Sequence, residues 1–203
     1  MGIQYLNSYL RKTVSHKCIN KIDVGWLSGK IIAVDISIYL YRFLAEEALL
    51  ENIYNMLSIF RYYNITPIFV FDGKAPVEKS KLLEKRYIDK NIAEEKYNIL
   101  KEELNNVNSS EKHLEISENM LYLKKKFIRL KRTDIVKVQE LINAFGEIYI
   151  EAEAEADEVC ARLVIKKIAY ACLSEDMDLF VYGCTRVLRY FSLVNETFVI
   201  YYL

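Results

Sequence analysis

The sequence carries no net charge, and this absence removes one class of argument about its partners. Among 203 residues, 28 basic side chains balance 28 acidic ones. A strongly basic chain would indicate binding to nucleic acid or to an acidic surface through its overall charge. Here, any electrostatic attraction must come from local patches of one sign.

Long apolar runs, proline, glycine and paired cysteines are also scarce. The sequence has no run of the ~18 apolar residues that a membrane span needs, and its start lacks the apolar core of a signal peptide. With four cysteines, no CxxC pair and two histidines, a zinc site is not expected. Cys160, Cys172 and Cys184 lie on or beside apolar segments, which favours buried, reduced thiols and an intracellular protein.

What the sequence does have is a concentration of acids in the segment Glu151–Asp178. Residues 151–158 include five acids, and the segment closes with Asp176 and Asp178. Between them the apolar spacing predicts a helix, and the apolar run Ile168–Leu173 predicts a buried strand. A helix dipole accounts for one or two acids at the helix start. Carboxylates packed this closely repel one another, so they indicate either a metal site or a solvated acidic face.

Three predicted strands end close to an aspartate. Asp35 follows the apolar run 31–34, Asp72 follows 67–71, and Asp176 lies just beyond 168–173. Strands that alternate with helices predict an α/β fold with a mostly parallel central sheet flanked by helices. One such aspartate is ordinary helix-capping chemistry. Because parallel strands end at one edge of a sheet, the set favours a metal site there. The expected ligands are Asp35, Asp72, Glu155, Asp157, Asp176 and Asp178.

Residues 77–145 have a different character, because they are charged and helical in period. The polar stretch 105–110 predicts the tip of a helical hairpin, and we expect residues 105–115 around it to be the most mobile part of the chain without DNA. The strongest basic run ends at Lys126 and continues with Arg129, whereas Lys79 and Arg86 are seven residues apart and share a helix face. A solvated hairpin would explain these charges. Their position beside a predicted carboxylate site instead favours contacts with phosphate.

Taken together, these stretches resemble the flap endonuclease family of structure-specific 5′ nucleases, which includes the nuclease of xeroderma pigmentosum group G. The resemblance covers nearly the whole chain, in order. It is carried by Met1-Gly2-Ile3, Asp35 with Tyr41, Val70–Pro76, Lys79 with Arg86, Glu155-Ala156-Asp157 with Cys160-Ala161, and Glu175–Asp178.

The resemblance implies a single PIN-like nuclease domain over residues 1–203, with a helical arch at about 77–140. It implies that the six acids bind two Mg²⁺ ions, for which Mn²⁺ is expected to substitute, with Asp176 essential to catalysis. Lys79 and Arg86 would contact the scissile phosphate, and Tyr41 would stack on a base. Further contacts with the DNA are expected from Gly2, Lys126 and Arg129.

Several departures from the family pattern qualify that expectation. Glu151 and Glu153 extend the alternating acids, so the ligand pair could shift by two residues, although Cys160-Ala161 favours Glu155 and Asp157. The usual proline before this cluster is absent. The family also continues into a helical duplex-binding region with a further aspartate ligand, and this chain carries neither. We therefore expect a fragment or a naturally short relative.

The implied partner is DNA with a 5′ flap or another single-strand/double-strand junction, and no membrane. A sliding clamp is a partner that members of the family can have, but no clamp-binding tail is expected in this chain, and a monomer is expected. The missing region leaves a second interpretation open, namely a catalytically weak nucleic-acid-binding or scaffold module. A phosphatase with the same sheet topology ranks lower, because Ser37 stands where such enzymes often have a second aspartate.

Overall fold

The computed structural model of the protein describes residues 5–15, 18–104 and 110–202. Gly2 lies outside these ranges, and so does most of the predicted hairpin tip at 105–110, of which Ser110 begins a helix. The expected mobility of that tip therefore stays a prediction.

Among the described residues, seven strands form one mixed sheet at the centre of the molecule. In the order β1-β7-β6-β5-β2-β3-β4, the four pairs from β6 to β4 are parallel, whereas β7 pairs antiparallel with β6 and β1. The predicted α/β fold with a mostly parallel sheet is confirmed. The strands are β1 (Ile19–Asp23), β2 (Ile31–Asp35), β3 (Thr66–Phe71), β4 (Ile148–Glu151), β5 (Ala171–Leu173), β6 (Arg186–Ser192) and β7 (Thr197–Tyr202).

Seven α-helices within the described part of the chain accompany the sheet. None of the helices within the described ranges has both the length and the apolar character needed to cross a membrane. They are α1 (Leu6–Thr13), α2 (Ser37–Ala45), α3 (Leu49–Tyr62), α4 (Ser80–Leu104), α5 (Ser110–Lys126), α6 (Arg132–Ala144) and α7 (Ala156–Ile165).

The alternation of side chains along β2 divides the core into two layers. Ile32 and Val34 pack on one face of the sheet with buried residues of α2, α3 and α6. Ala33 points to the opposite face, where it packs with buried residues of α7 such as Cys160 and Val164. Cys172 and Cys184 are also buried, and both are free thiols, as the sequence predicted. Because both faces are covered, the central strands are apolar throughout, as is usual for parallel sheets.

Two edge strands, β1 and β4, were not predicted from the sequence. β1 is polar and half-exposed, and β4 is short and largely exposed, so neither gives the apolar run of a buried strand. The predicted strand 168–173 is wrong in its first half. Lys167 turns the chain with a φ of 58°, and pairing begins only at Ala171.

α4 and α5 pack against each other as a long, exposed hairpin. Ala93 is the buried residue of α4. The next helix, α6, instead packs on α3 and β4 and adds Val138 and Ile142 to the core. Residues of the predicted arch range beyond 131 therefore pack with the body of the domain.

Candidate active site

Asp35 is a buried carboxylate at the carboxyl end of β2. It is 7% exposed, and its oxygens accept hydrogen bonds from the Ser174 hydroxyl at 2.7 Å and from the Ser37 backbone N–H at 3.2 Å. The pKa of Asp35 is raised to about 6, mainly by burial and also by the nearby charge of Asp72. The hydrogen bonds from Ser174 and Ser37 lower the pKa of Asp35, but by less than burial raises it. They therefore offset only part of the cost of burying the charged carboxylate.

Asp72 follows β3, and its carboxylate joins two other elements at the same sheet edge. One oxygen accepts a bond of 2.5 Å from the Ser37 hydroxyl, at the start of α2. The other accepts a bond of 2.9 Å from the backbone N–H of Ala156, in the first turn of α7. A carboxylate at a helix N-terminus satisfies an N–H group that has no partner within the helix. Asp72 therefore holds the starts of α2 and α7 close to the end of β3.

Asp157 lies in the first turn of α7 and is half-buried among the other acids. Its pKa is raised to about 8, first by burial and then by the carboxylates of Asp35, Asp176 and Asp72, in that order. Asp157 and Asp35 lie close enough for each carboxyl group to influence the pKa of the other. These four acids, which come from three strand ends and one helix start, form the carboxylate cluster of the site. The predicted convergence of strand-end acids on one sheet edge thus appears in the geometry.

Glu155 and Asp178 lie beside the carboxylate cluster. Glu155 precedes α7 and accepts a hydrogen bond of 2.5 Å from Nζ of Lys79, which lies just before α4. This contact is the largest cause of the raised pKa of Lys79, and Asp157 and Asp176 add to it. Asp178 begins a short 3-10 turn, and its backbone N–H donates to Oδ1 of Asp176 at 3.0 Å. One cation therefore already offsets part of the negative charge.

The donor set of the carboxylate cluster fits a hard divalent cation. It consists of carboxylate oxygens without histidine or cysteine, which is the set that Mg²⁺ prefers. Within the described residues, Oδ1 of Asp157 is buried and has no hydrogen-bond partner. The same described ranges contain no group of three or more Asp, Glu, His or Cys side chains whose present arrangement could hold a metal ion. Instead, Asp35, Asp72 and Glu155 are turned toward serine, backbone and lysine donors.

The hairpin presents a basic groove between α4 and α5. The groove has a volume of about 460 Å³, and Arg86 and Lys126, both predicted to contact substrate, lie on its walls. Lys90 and Lys96 add two more cations, against the single acid Asp89. Such a surface attracts the phosphates of a nucleic acid strand. The further lining residues are Ile92, Ala93 and Leu123.

Tyr41 lies where the body of the domain meets this hairpin. Its side chain is exposed, and Nζ of Lys90 lies 5.1 Å from the centre of its ring. Lys90 also donates to the backbone oxygen of Ile128 at 2.8 Å, and its pKa is lowered, first by burial and then by Arg129 and Arg86. An exposed ring beside a cation is suited to stacking on a base.

Arg129 has a different environment from the one expected for a substrate contact. Its guanidinium donates to Asn91 and Glu94 of α4, in each case at 2.7 Å, and lies 5.5 Å from the ring centre of Tyr87. These contacts tie the segment after α5 to α4. Arg129 therefore has a role within the hairpin that the basic run did not indicate.

Three further residues shape the site without having been predicted for it. Ser37 and Ser174 orient Asp72 and Asp35, and single serines at strand ends are too common to give a signal. Gly73 brings the loop after β3 against the loop before α7, and its N–H donates to Ala154 at 2.7 Å. An added Cβ at Gly73 would lie 1.9 Å from the oxygen of Ala152. The Asp72-Gly73 pair within the motif Val70–Pro76 was the sequence signal that could have indicated this close contact.

Fold and site together define an α/β protein with a carboxylate centre at the carboxyl edge of its sheet, flanked by a basic helical hairpin. Residues 1–94 match the XPG N-terminal domain, and residues 146–199 match the XPG I-region. These two matches cover more than half of the chain. The chain therefore belongs to the XPG-type flap endonuclease family, as its motifs predicted.

Curated relatives and solved structures agree with that assignment. Flap endonuclease 1 of Heterostelium pallidum is 31% identical over 205 residues, which are 93% of this chain and 50% of the relative. Flap endonuclease 1 of Candida tropicalis is 29% identical over 95% of this chain and 52% of the relative. This chain thus spans about half the length of the curated relatives it matches.

Among solved structures, the fold is similar to the catalytic core of Rad2 in complex with DNA substrate. The TM-score is 0.67 at 23% identity, over 99% of this chain and 55% of the other. The structure of human GEN1 in complex with Holliday junction DNA has a TM-score of 0.64 at 19% identity. The match covers 99% of this chain and 44% of the GEN1 chain. A structure of GEN1 in complex with product DNA, Mg²⁺ and Mn²⁺ ions has a TM-score of 0.57 at 17% identity. The match covers 91% of this chain and 38% of the GEN1 chain. At these identities the likeness shows the fold.

Proposed function

We propose that this chain is the catalytic part of a structure-specific 5′ nuclease that hydrolyses DNA phosphodiesters at single-strand/double-strand junctions. The observation that carries the proposal is the carboxylate cluster of Asp35, Asp72, Asp157 and Asp176 at one sheet edge. Membership of the XPG-type family supports the same reaction. The basic groove of the helical hairpin supports a polyanionic substrate.

The cofactor that fits this site is a divalent cation, with two Mg²⁺ ions as the proposed complement and Mn²⁺ as a substitute. The residues that would hold the ions are Asp35, Asp72, Glu155, Asp157, Asp176 and Asp178. When bound, such ions supply polarisation of the phosphate, activation of the attacking water and stabilisation of the leaving oxygen.

The chain's own cations are proposed to bind and orient the DNA. Lys79 and Arg86 offset the charge of the scissile phosphate, which requires Lys79 to exchange Glu155 for a phosphate oxygen. Tyr41 stacks on a base next to the junction, an interaction that tolerates any base and so suits recognition of structure. Lys126 extends the basic surface along the hairpin, and Arg129 keeps α4 and the segment after α5 together.

The proposed partner is DNA with a 5′ flap, bound by a monomer, and the proposed setting is DNA replication or repair. The flap endonuclease relatives support a DNA-processing role inside the cell. We propose the nucleus or another site of DNA replication, such as a viral replication compartment. A sliding clamp is a partner of the family and is not required for the chemistry proposed here.

The decisive experiment is cleavage of a flap substrate labelled at its 5′ end by the 203-residue chain. We expect release of the flap with Mg²⁺ and none with EDTA, little cleavage of a matched 3′ flap, and none by Asp157→Asn. Glu118→Gln, at an exposed position on α5, is the matched carboxylate control and should cleave normally. Binding of the flap without metal-dependent cleavage would instead support the nucleic-acid-binding scaffold.

A further inference from the structure

Arg189, in β6, is a buried cation outside the carboxylate cluster. The residue is 6% exposed, although arginine is rarely buried unless its charge is paired. Nη2 donates to the backbone oxygen of Glu175 at 2.9 Å and lies 3.6 Å from Oε2 of the same residue. Nη1 lies 2.8 Å from Sδ of Met177, a weak acceptor. A single guanidinium thus contacts the loop 175–178 at three points.

The surroundings of Arg189 fix the guanidinium in place. The ring centres of Tyr190 and Tyr201 lie 4.7 and 5.6 Å from it, within the range of a cation–π interaction. Tyr190 has a φ of 55° at an irregularity in the pairing of β6 with β7. Its backbone N–H donates to Oε1 of Glu175 at 2.6 Å, so two adjacent residues of β6 bind one loop residue.

That loop carries an acid of the carboxylate cluster. Asp176 and Asp178 are members of the loop, and Met177 between them is buried at 4% exposure. The backbone N–H of Asp176 donates to the hydroxyl of Ser174 at 3.1 Å, and its Oδ1 accepts from the N–H of Asp178 within the same loop. The position of Asp176 relative to Asp157 therefore depends on what holds Glu175 and Met177.

We infer that Arg189 is a positioning residue that fixes the loop 175–178 so that Asp176 and Asp178 can bind a divalent cation. This inference rests on the proposed function. Arg189 acts through the loop rather than on DNA, since its burial and its contacts leave little of the guanidinium for a phosphate. Within the described residues, its Nε has no hydrogen-bond partner, so the residue is not optimised for stability alone.

Two measurements on the full 203-residue chain test the inference. The first is hydrogen exchange of the amides of residues 175–178, and the second is the Mg²⁺ concentration for half-maximal flap cleavage. Arg189→Met should speed exchange in this loop and raise the Mg²⁺ requirement about 10-fold, as is typical when the support of a metal ligand is lost. Arg189→Lys, which keeps the charge but not the forked contact, should lie between Arg189→Met and the unmodified chain.

Two additional variants keep the test decisive. If Arg189→Met leaves Glu175 without a partner and unfolds the chain, the double variant Arg189→Met with Glu175→Gln removes both charges together. Arg186→Met is the matched control in the same strand. Arg186 also donates to a backbone oxygen and contacts a tyrosine ring, but both belong to Tyr170, before β5. It should change neither measurement.

The outcomes separate this inference from the proposed function. Unchanged exchange in residues 175–178 of the Arg189 variants would overturn the positioning role, and so would a lower cleavage rate at an unchanged Mg²⁺ requirement. If the unmodified chain does not cleave, the proposed function fails. In that case faster exchange in the loop together with a weaker Mn²⁺-induced rise in Tm still supports positioning, and an unchanged Tm shift contradicts it.

Discussion

Nζ of Lys79 donates a hydrogen bond to Oε1 of Glu155, so the cation expected on the substrate and an acid expected on the metal are bound to each other. The two side chains are 39% and 26% exposed. The contact is therefore accessible to solvent and exchangeable. It gives Lys79 two successive partners, a carboxylate before DNA binds and a phosphate afterwards.

Replacement of Lys79 by methionine should lower cleavage much more than it lowers stability. Loss of one positioned cation at a reacting phosphate typically costs about 10²–10³-fold in rate. A partly exposed ion pair contributes less than about 1 kcal/mol to folding. Single-turnover cleavage and urea unfolding measure the two effects. Lys81→Met, at an exposed position two residues further on, is the control, and equal rates for the two variants would contradict the role of Lys79.

Divalent cations should stabilise the protein through the carboxylate cluster. Mg²⁺ at 100 times its Kd should add about 2.7 kcal/mol to the free energy of unfolding, because it binds the folded state alone. Asp176→Asn should lose this gain, while its stability in EDTA stays equal or rises, because one repelling charge is gone. Thermal unfolding with and without Mg²⁺ measures both. The site would be refuted by an unmodified chain whose Tm does not respond to millimolar Mg²⁺ or Mn²⁺.

Without metal, stability should fall as the pH rises. The pKa of Asp157 is about 8 in the folded protein against an ordinary 3.8, so between these values the folded state holds a proton that the unfolded chain has released. Rising pH therefore favours unfolding in this window. Urea unfolding in EDTA at pH 5 and pH 8 should show the loss, and Asp157→Asn should reduce it. A stability that rises over this interval in the unmodified chain would contradict the raised pKa.

The convergence of the acids of the site could be predicted from the sequence because each acid is tied to a recognisable local pattern. Asp35 and Asp72 end apolar runs that become β2 and β3, and Asp157 opens a helix with clear spacing. The parallel order of the strands then brings these ends together. Local pattern and topology agree here, so the inference could be made from one chain alone.

The parts that could not be predicted depend on contacts between distant segments. Arg189 lies in β6, and nothing in the local sequence around it indicates that its partner is the backbone oxygen of Glu175. This contact forms only when the fold brings the two segments together. β1 was missed because its stability comes from pairing with β7, at a sequence separation of more than 170 residues, rather than from its own apolar content. Edge strands of this kind carry a weak local signal.

Gly73 should be the most sensitive glycine of the site. A Cβ there would lie 1.9 Å from the oxygen of Ala152 and 2.7 Å from the carbonyl carbon of Glu153, both of which are backbone atoms that no side-chain rotation can move away. The φ of Gly73 is not in the left-handed region, so the constraint is the close approach of two chains. Gly73→Ala must therefore separate the loop that carries Asp72 from the loop that leads to Glu155 and Asp157.

We expect Gly73→Ala to reduce the free energy of unfolding by about 1–3 kcal/mol, as other overpacked sites do. Cleavage should fall by about 10²-fold, since a displacement of about 1 Å is enough to misplace reacting groups. Gly146→Ala is the control, because Gly146 has a φ of 76° but open space around the added Cβ. It should lose stability and retain both cleavage and the Mg²⁺-induced Tm shift. If Gly73→Ala also retains both, the contact between the loops is not what aligns the acids.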